Sequence, residues 1–469
     1  MSDLADLTLG GAAARLRAIT VSPLELTRAY LERIERHDPA LNAFITVTAE
    51  RALDDARRAT EEISSGRWRG PLHGVPIAIK DLVATRGIRT TAGAKIFADH
   101  VPEEDATIVR RLSDAGAVLL GKLNTHELAY GVTTNNPHFG AAKNPWKLDA
   151  IPGGSSGGSG AATAAHLAVA TIGTDTGGSI RIPASLCGVV GLKPSYGRAS
   201  KAGVVPLSFL FDHVGPLARS VTDAALMLEA IAGYDPADAT TVRAEPERWS
   251  ETVDRSIRGL RVGVPRRWFF DRLDREVRQA IETALAVFAD LGAIVSDVDV
   301  AGAAEAVSAL FAIVLAEAKE IYGRAFAERP GDFGPDLRQI LSQPTPDAIE
   351  IMAGLRTVRA FAAAARETLE RVDVLVTPTT PVAAPAQGTE TVDLDGQAEA
   401  TIFALIRCTA PFNASHLPAL SVPCGLTRAP LPIGLQIAGR PLDEATVLRA
   451  GHAYEQATDW HRRHPPDFG

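Results

Sequence analysis

Cysteine is scarce in this chain: Cys187, Cys408 and Cys424 are the only three in 469 residues. Spaced this far apart they match neither a disulfide framework nor a zinc site, and they read as free thiols in a reducing compartment, with the cytoplasm as the expectation. An apolar run of about 18 residues is also missing, so no spanning helix is expected. The opening "MSDLADLTLGGAAARLRAIT" lacks a basic stretch followed by an apolar core, and no secretory leader is expected there. Nor is there a block of positive charge: 48 Lys and Arg stand against 56 Asp and Glu, a net charge of −8. A charged face for nucleic acid or for a membrane is therefore not expected, and the acidic excess serves solubility. Metal-ligand spacing is absent too. His126-Glu127 is not followed by a second histidine four residues on, and His461 and His464 read as solvated residues of a basic tail.

What is present is an ordinary globular balance, 46% hydrophobic and 22% charged. The length allows two or three domains or one large α/β domain. Residues 22–36, "SPLELTRAYLERIER", carry a helix start, with Ser22 as the cap, Pro23 in the first turn and Glu25 completing a capping box. A second helix is predicted over 49–64. After it "GVPIAIKDLV" reads as a buried strand ending near Lys80, residues 105–115 as a helix and "GAVLLGKLN" as a strand. The alternation resumes after 258 with "LRVGVP", "DREVRQAIETALAVFADLG" and "IVSDVDV". It closes with "VDVLVTPTTP", "ALSVPCG", "PIGLQIAG" and an amphipathic helix over 443–458. Such alternation predicts α/β layers around a mostly parallel or mixed sheet. No linker or repeat interrupts it.

The Gly/Ser tract "PGGSSGGSGAATAA", 152–165, runs into an Ala-rich helix, which argues against a flexible linker. A dinucleotide loop would follow a strand, and "NPWKLDAIP" is not one. The same objection, with Pro152 and the lack of a general-base histidine, weakens the match of residues 153–157 to G-x-S-x-G. Asp175-Thr176-Gly177 resembles an aspartic protease motif, but it occurs once and that chemistry needs a pair. There remains a combination of Lys80 at a strand end, Ser155 in the glycine loop and Ser179 after Gly177-Gly178. Desolvation can leave a buried lysine neutral, a second serine can pass its reactivity on, and glycines let backbone N–H groups face an oxyanion. On residues alone two alternatives stay open: Lys80 as an ordinary solvated lysine, and Ser179 as a helix cap.

The run "GGSSGGSGAATAAHLAVATIGTDTGGSIRIPASLCGVVGLKPSYGR", 153–198, strongly resembles the amidase signature family. So do "GVPIAIKD", "GKLNTHELAYGVTTNNPHFGAAKNPW", "DHVGPLARSVTDAALMLEAIAGYDP" and "PIGLQIAGRPLDEATVLRAGHAYEQ", so that the likeness covers nearly the whole chain. The resemblance implies a three-layer α/β/α fold with a large central mixed sheet. It implies one amidase domain over 1–469, with a helical lead-in (1–65), the signature core (66–235) and the remaining elements (236–469). It implies a Ser–cisSer–Lys triad: Ser179 matches the nucleophile, Ser155 the bridging serine after a cis peptide bond, and Lys80 the base. Thr176, Gly177 and Gly178 match the oxyanion loop, and Ser156, Asp175 and Arg181 the positions that brace it. No metal or organic cofactor is implied, and a homodimer is the family habit.

Within that family the A subunit of the glutamyl-tRNA amidotransferase usually has glutamine after the arginine of S-I-R-Q-P-A, where this chain has Ile182. On that ground the expectation is a stand-alone hydrolase of small amides, hydrazides or carbamates, with a small-molecule substrate and no nucleic-acid partner. The tRNA amidotransferase subunit is the alternative. Ala129, Tyr130 and Gly131 match a segment bordering the acyl pocket. Phe209 and Phe211 are candidates for an apolar wall suited to an aryl or medium-sized acyl group.

Overall fold

The computed structural model describes residues 4–245 and 247–468. Among these, eleven strands form one sheet in the order Phe44–Val47, Val118–Leu123, Pro76–Lys80, Ala170–Asp175, His213–Ala218, Val190–Lys193, Ala419–Leu426, Pro432–Gly439, Val374–Pro378, Arg261–Pro265 and Ile294–Val298. The sheet is mixed. Pro76–Lys80 runs parallel to both of its neighbours, Val374–Pro378, Arg261–Pro265 and Ile294–Val298 are mutually parallel, and the centre from His213–Ala218 to Pro432–Gly439 is antiparallel. Helices flank it, as the alternating sequence predicts.

The sequence explains where the helices sit. Pro76–Lys80, Val118–Leu123, Ala170–Asp175 and His213–Ala218 are buried at every position. Strands covered on both faces read as aliphatic runs rather than alternations, which is why these stretches look unpatterned. The helix Arg275–Asp290 has one apolar face, with Val277, Ile281, Ala284, Leu285 and Phe288 buried. That i, i+4, i+7, i+8 spacing is the stripe a surface helix presents to a sheet. Its N-terminus is capped by Asp274, which accepts from Glu276 N (2.8 Å) and Val277 N (3.1 Å).

The expected capping box at Ser22 and Glu25 is present, with Glu25 N donating to Ser22 Oγ (3.1 Å) and Ser22 N to Glu25 Oε2 (2.8 Å). The helix runs from Pro23 to Leu41, and the Asp38 carboxylate takes the N–H groups of Ala43 (2.7 Å) and Phe44 (3.3 Å) just beyond its end. The lead-in is tied to the signature region by Asp223, a buried carboxylate that accepts from Leu9 N (3.0 Å) and Gly10 N (3.2 Å). All three cysteines are free and buried, and no helix among the described residues is long and apolar enough to cross a membrane.

Phe288 is fully buried and stacks on Tyr454 with ring centroids 5.5 Å apart. Phe288→Ala is expected to lower stability by about 3–5 kcal/mol, read as a lower urea midpoint with unchanged denaturant sensitivity.

Candidate active site

Strand register brings the chemistry together. Pro76–Lys80 and Ala170–Asp175 are parallel, with Ile79 paired to Ile172, so Lys80 emerges beside Gly173 and Thr174 at the carboxyl edge of the sheet. Such edges are where open α/β sheets bind ligands. The helix Gly157–Ala164 starts at the same edge with Ser156 as its N-cap. The glycines before and within it serve contact rather than flexibility. A Cβ on Gly154 would lie 2.6 Å from the Val132 carbonyl carbon, and one on Gly158 2.5 Å from the carbonyl oxygens of Ala43 and Asn124.

Lys80 is fully buried, and its Nζ donates to Ser155 Oγ (2.6 Å) and Thr174 Oγ1 (2.8 Å). Burial lowers its pKa to about 7, against a smaller upward pull from Asp212 and Asp175. The Gly154–Ser155 peptide is cis. Ser156 Oγ donates to Thr174 O (3.1 Å) and accepts from Thr174 N (3.2 Å), and its own N–H donates to Ser179 O (3.2 Å), which fastens the glycine loop to the strand and to the serine turn. Lys80 and Ser155 are therefore joined directly. Ser155 and Ser179 are not joined by a side-chain hydrogen bond among the described residues; the Ser156 contact is what holds their segments together.

The turn 176–180 is held open from three sides. Thr176 Oγ1 donates to Asp212 Oδ1 (2.5 Å), Thr409 Oγ1 donates to Gly177 O (2.6 Å), and Ile180 N donates to Asp175 Oδ2 (3.1 Å). Gly178 has φ +141, and a Cβ there would meet Thr409 Oγ1 at 2.2 Å, so only glycine fits. Among the described residues nothing accepts from the N–H groups of Gly177, Gly178 or Ser179. They are available to an oxygen placed before the turn.

Behind the turn lies the buried pair Asp175–Arg181. The guanidinium donates to both Asp175 oxygens (2.9 and 3.0 Å), to Thr409 O (2.9 Å), to Gln436 Oε1 (2.7 Å) and to Asn413 Oδ1 (2.6 Å). Burial would raise the pKa of Asp175, but Arg181, then Lys193 and Asn413, outweigh it and hold the carboxyl at about 2.

Ser179 opens into a cavity of about 50 Å³ that Ala129, Tyr130 and Gly131 also line. Its outer wall is apolar: Leu310, Phe311 and Val314 from the helix Ala303–Glu328, and Ile402 and Ile406 from the helix Thr401–Ile406. Neither phenylalanine proposed for this wall belongs to it. Phe211 is in the core and Phe209 is exposed, while Leu207 lines the cavity instead. Thr174, Asp212, Thr409, Asn413 and Gln436 were not singled out from sequence. Asp212 was reachable as a carboxylate in an otherwise apolar stretch, whereas the last three lie more than 200 residues from the turn they support.

Asp175→Asn would leave the Arg181 charge buried without its counter-ion, and a loss of about 3–5 kcal/mol is expected. Because the folded-state pKa is depressed, the carboxylate's contribution is complete above the unfolded value of about 4 and is lost as pH falls toward 2. Urea unfolding from pH 7 down to pH 3 should show that part of the acid dependence in the wild type and not in the variant.

A model of the Amidase family matches residues 25–448. The chain is 41% identical over 486 residues to the A subunit of the glutamyl-tRNA(Gln) amidotransferase of Geotalea daltonii, spanning 98% of this chain and 99% of the relative. Among solved structures, the corresponding A subunit from Thermotoga maritima superposes with a TM-score of 0.81 at 32% identity, covering 97% of this chain and 96% of that one. A chain from a vestigial protein complex connected with the origins of an s-triazine catabolic enzyme superposes with a TM-score of 0.91 at 35% identity, covering 96% and 98%. These relatives overturn two expectations, the stand-alone small-amide hydrolase and the absence of any nucleic-acid connection. The structure supplies the reason for the first error. Ile182 does not line the cavity; it packs with Leu186, Leu405 and Ile406 in an apolar cluster, so its character carries no information about substrate polarity. The second expectation rested on the absence of a basic block alone, and the relatives' name, which includes glutamyl-tRNA(Gln), runs against it. Signature run, fold and full-length likeness agree, and the chain belongs to the amidase signature family.

Proposed function

We propose that this protein is the A subunit of a glutamine-dependent amidotransferase acting on glutamyl-tRNA(Gln), in which it releases ammonia from the side-chain amide of glutamine. The observation that carries the reading is the 41% identity over nearly the full length of both chains to a protein of that name. The site geometry supports it. The cavity before Ser179, about 50 Å³ and open on one side, lies well below the range of drug-sized ligand sites, which is compatible with a short side-chain amide. The apolar wall suits the two methylenes of glutamine, leaving its charged end at the mouth.

In this reading Ser179 is the nucleophile, Ser155 the proton bridge and Lys80 the base. Neutral Lys80 accepts the Ser155 proton while Ser155 accepts that of Ser179, whose oxygen attacks the amide carbon. The Ser179 hydroxyl turns toward Ser155 as substrate enters, since catalytic hydrogen bonds often tighten only in the substrate complex. The N–H groups of Gly177, Gly178 and Ser179 face the developing oxyanion. Protons return through Ser155 to the nitrogen, the C–N bond breaks and ammonia leaves. Water then cleaves the acyl-enzyme by the same relay to give glutamate.

The test is ammonia release from glutamine by the purified chain, alone and with the remaining subunits of such an amidotransferase. Release that depends on Ser179 and is enhanced by the partners is the expected result. No release under either condition, with turnover of unrelated small amides, would overturn the assignment. Ser179→Ala and Lys80→Ala should each reduce turnover about a thousandfold or more, because the relay acts as a unit. The wild-type rate should rise through an apparent pKa near 7 as Lys80 loses its proton and level off above it. An unshifted lysine would carry the rise to about pH 10.

A further inference from the structure

A second cavity, of about 370 Å³, lies at the opposite edge of the sheet from Ser179. The strand His213–Ala218 pairs antiparallel with Ala170–Asp175, with His213 opposite Asp175 and Ala218 opposite Ala170, so Arg219 is carried roughly 17 Å away from the catalytic edge. The cavity is lined by Arg219 and His166 and by the tail residues His461, Arg462, Arg463 and His464.

In a chain of net charge −8 this is a local reversal of sign. The opposing charge on the wall is Asp6, and it is engaged by His166, whose Nδ1 lies 3.0 Å from Asp6 Oδ1. Arg219 donates to the carbonyls of Ala5 and Leu7, which hold it in place without neutralising it. Among the described residues neither Arg219 nor Arg462 has a carboxylate within 4.0 Å, and Arg463 is paired with Asp459 outside the cavity lining. The pKa of His166 is driven down chiefly by burial, with Arg219, Arg33 and His464 adding to the effect, so the imidazole is neutral and one ring nitrogen can donate without carrying charge. Trp146 supplies an apolar side, its Nε1 fixed by the Cys187 carbonyl at 2.8 Å.

We propose that this cavity binds a phosphate group, carried either by a mononucleotide or by an RNA. Guanidinium and imidazole donors converging on one space are the set that recognises phosphate oxygens. The volume falls within the range of small-molecule sites, about 300–1,000 Å³, so it accepts more than the phosphate itself. The proposal is independent of the amidotransferase reading, since it uses other residues and another edge of the sheet.

Isothermal titration of the full chain with inorganic phosphate, adenosine 5′-monophosphate and bulk tRNA tests it. The variants are Arg462→Glu and His464→Ala, on the tail, with Arg371→Glu on the distant helix Ala348–Arg371 as the charge control. Saturable binding of the mononucleotide, weakened at least about tenfold by Arg462→Glu and left alone by Arg371→Glu, supports the proposal and identifies a free nucleotide as the source. Binding of tRNA alone with the same variant dependence supports it and identifies RNA. If no probe saturates, or if neither Arg462→Glu nor His464→Ala weakens binding more than Arg371→Glu does, the proposal fails. Circular dichroism of each variant separates lost binding from lost fold.

Discussion

A guanidinium removed from water organises the middle of this protein. Arg181 is fully buried, and an unpaired charge at such a position would be untenable. Five acceptor atoms answer it: both carboxylate oxygens of Asp175, the carbonyl of Thr409, and the side-chain oxygens of Asn413 and Gln436. Those groups come from a strand of the signature region, a strand near the carboxyl end and the short helix Ala410–Ala414, segments that would otherwise have no reason to meet. Once the charge is satisfied, Asp175 is fixed, its second oxygen holds Ile180 N, and the turn between them has little freedom left. Thr409 closes the circuit by accepting from Arg181 through its carbonyl and donating to Gly177 through its hydroxyl. The shape of the turn around Ser179 is thus a consequence of solvating one cation with protein atoms.

Lys80 sits in the same buried region and meets the opposite fate. Among the described residues its Nζ has two hydroxyl partners and no carboxylate in contact. Neutral hydroxyls do not offset desolvation, and the fall from 10.5 to about 7 amounts to about 5 kcal/mol against the charged form. Lys122 makes the comparison instructive. It is equally hidden, but Asp81 lies 3.3 Å away, and its pKa falls only to about 8. Arginine cannot take the neutral route and therefore recruits partners, whereas lysine can lose its proton near neutral pH. The two basic side chains beside the serine loops, Lys80 in contact with Ser155 and Arg181 two residues after Ser179, differ by chemistry: Arg181 stays charged and shapes the turn, while the Lys80 pKa falls to about 7.

How much of this was legible in the sequence depended on distance along the chain. Lys80 at a strand end and Ser155 after a glycine pair could be read because each motif is local and the signature run is long. The strand ends were legible too, since aliphatic runs bounded by glycine or proline mark strands covered on both faces. The end of the first long helix was not read from sequence, because Asp38 satisfies donors beyond it, a side-chain contact that no periodicity displays. The apolar wall of the cavity was invisible for a different reason. Leu310, Phe311, Val314, Ile402 and Ile406 look like core positions of amphipathic helices, and only the fold reveals that they face a cavity. Ile182 shows the converse error, a residue adjacent to the motif and silent about the substrate because its side chain points into a neighbouring cluster.

That contrast bears on how one scaffold comes to serve different amides. The residues that shape the turn are mutually locked, since Gly178 tolerates no side chain and Arg181 no missing partner. Substitution there would disturb both charge and geometry. The wall opposite Ser179 comes from two helices outside the signature region, and its side chains meet the cavity only through apolar contact. Neither the Leu310 nor the Ile406 side chain takes part in the hydrogen bonds around Ser179, Ser155 and Lys80, so their size bears on the volume of the cavity and not on that network. The shape of the cavity before Ser179 can therefore vary while the hydrogen bonds of the turn stay constant, and the positions that set that shape are those with no polar role in the turn.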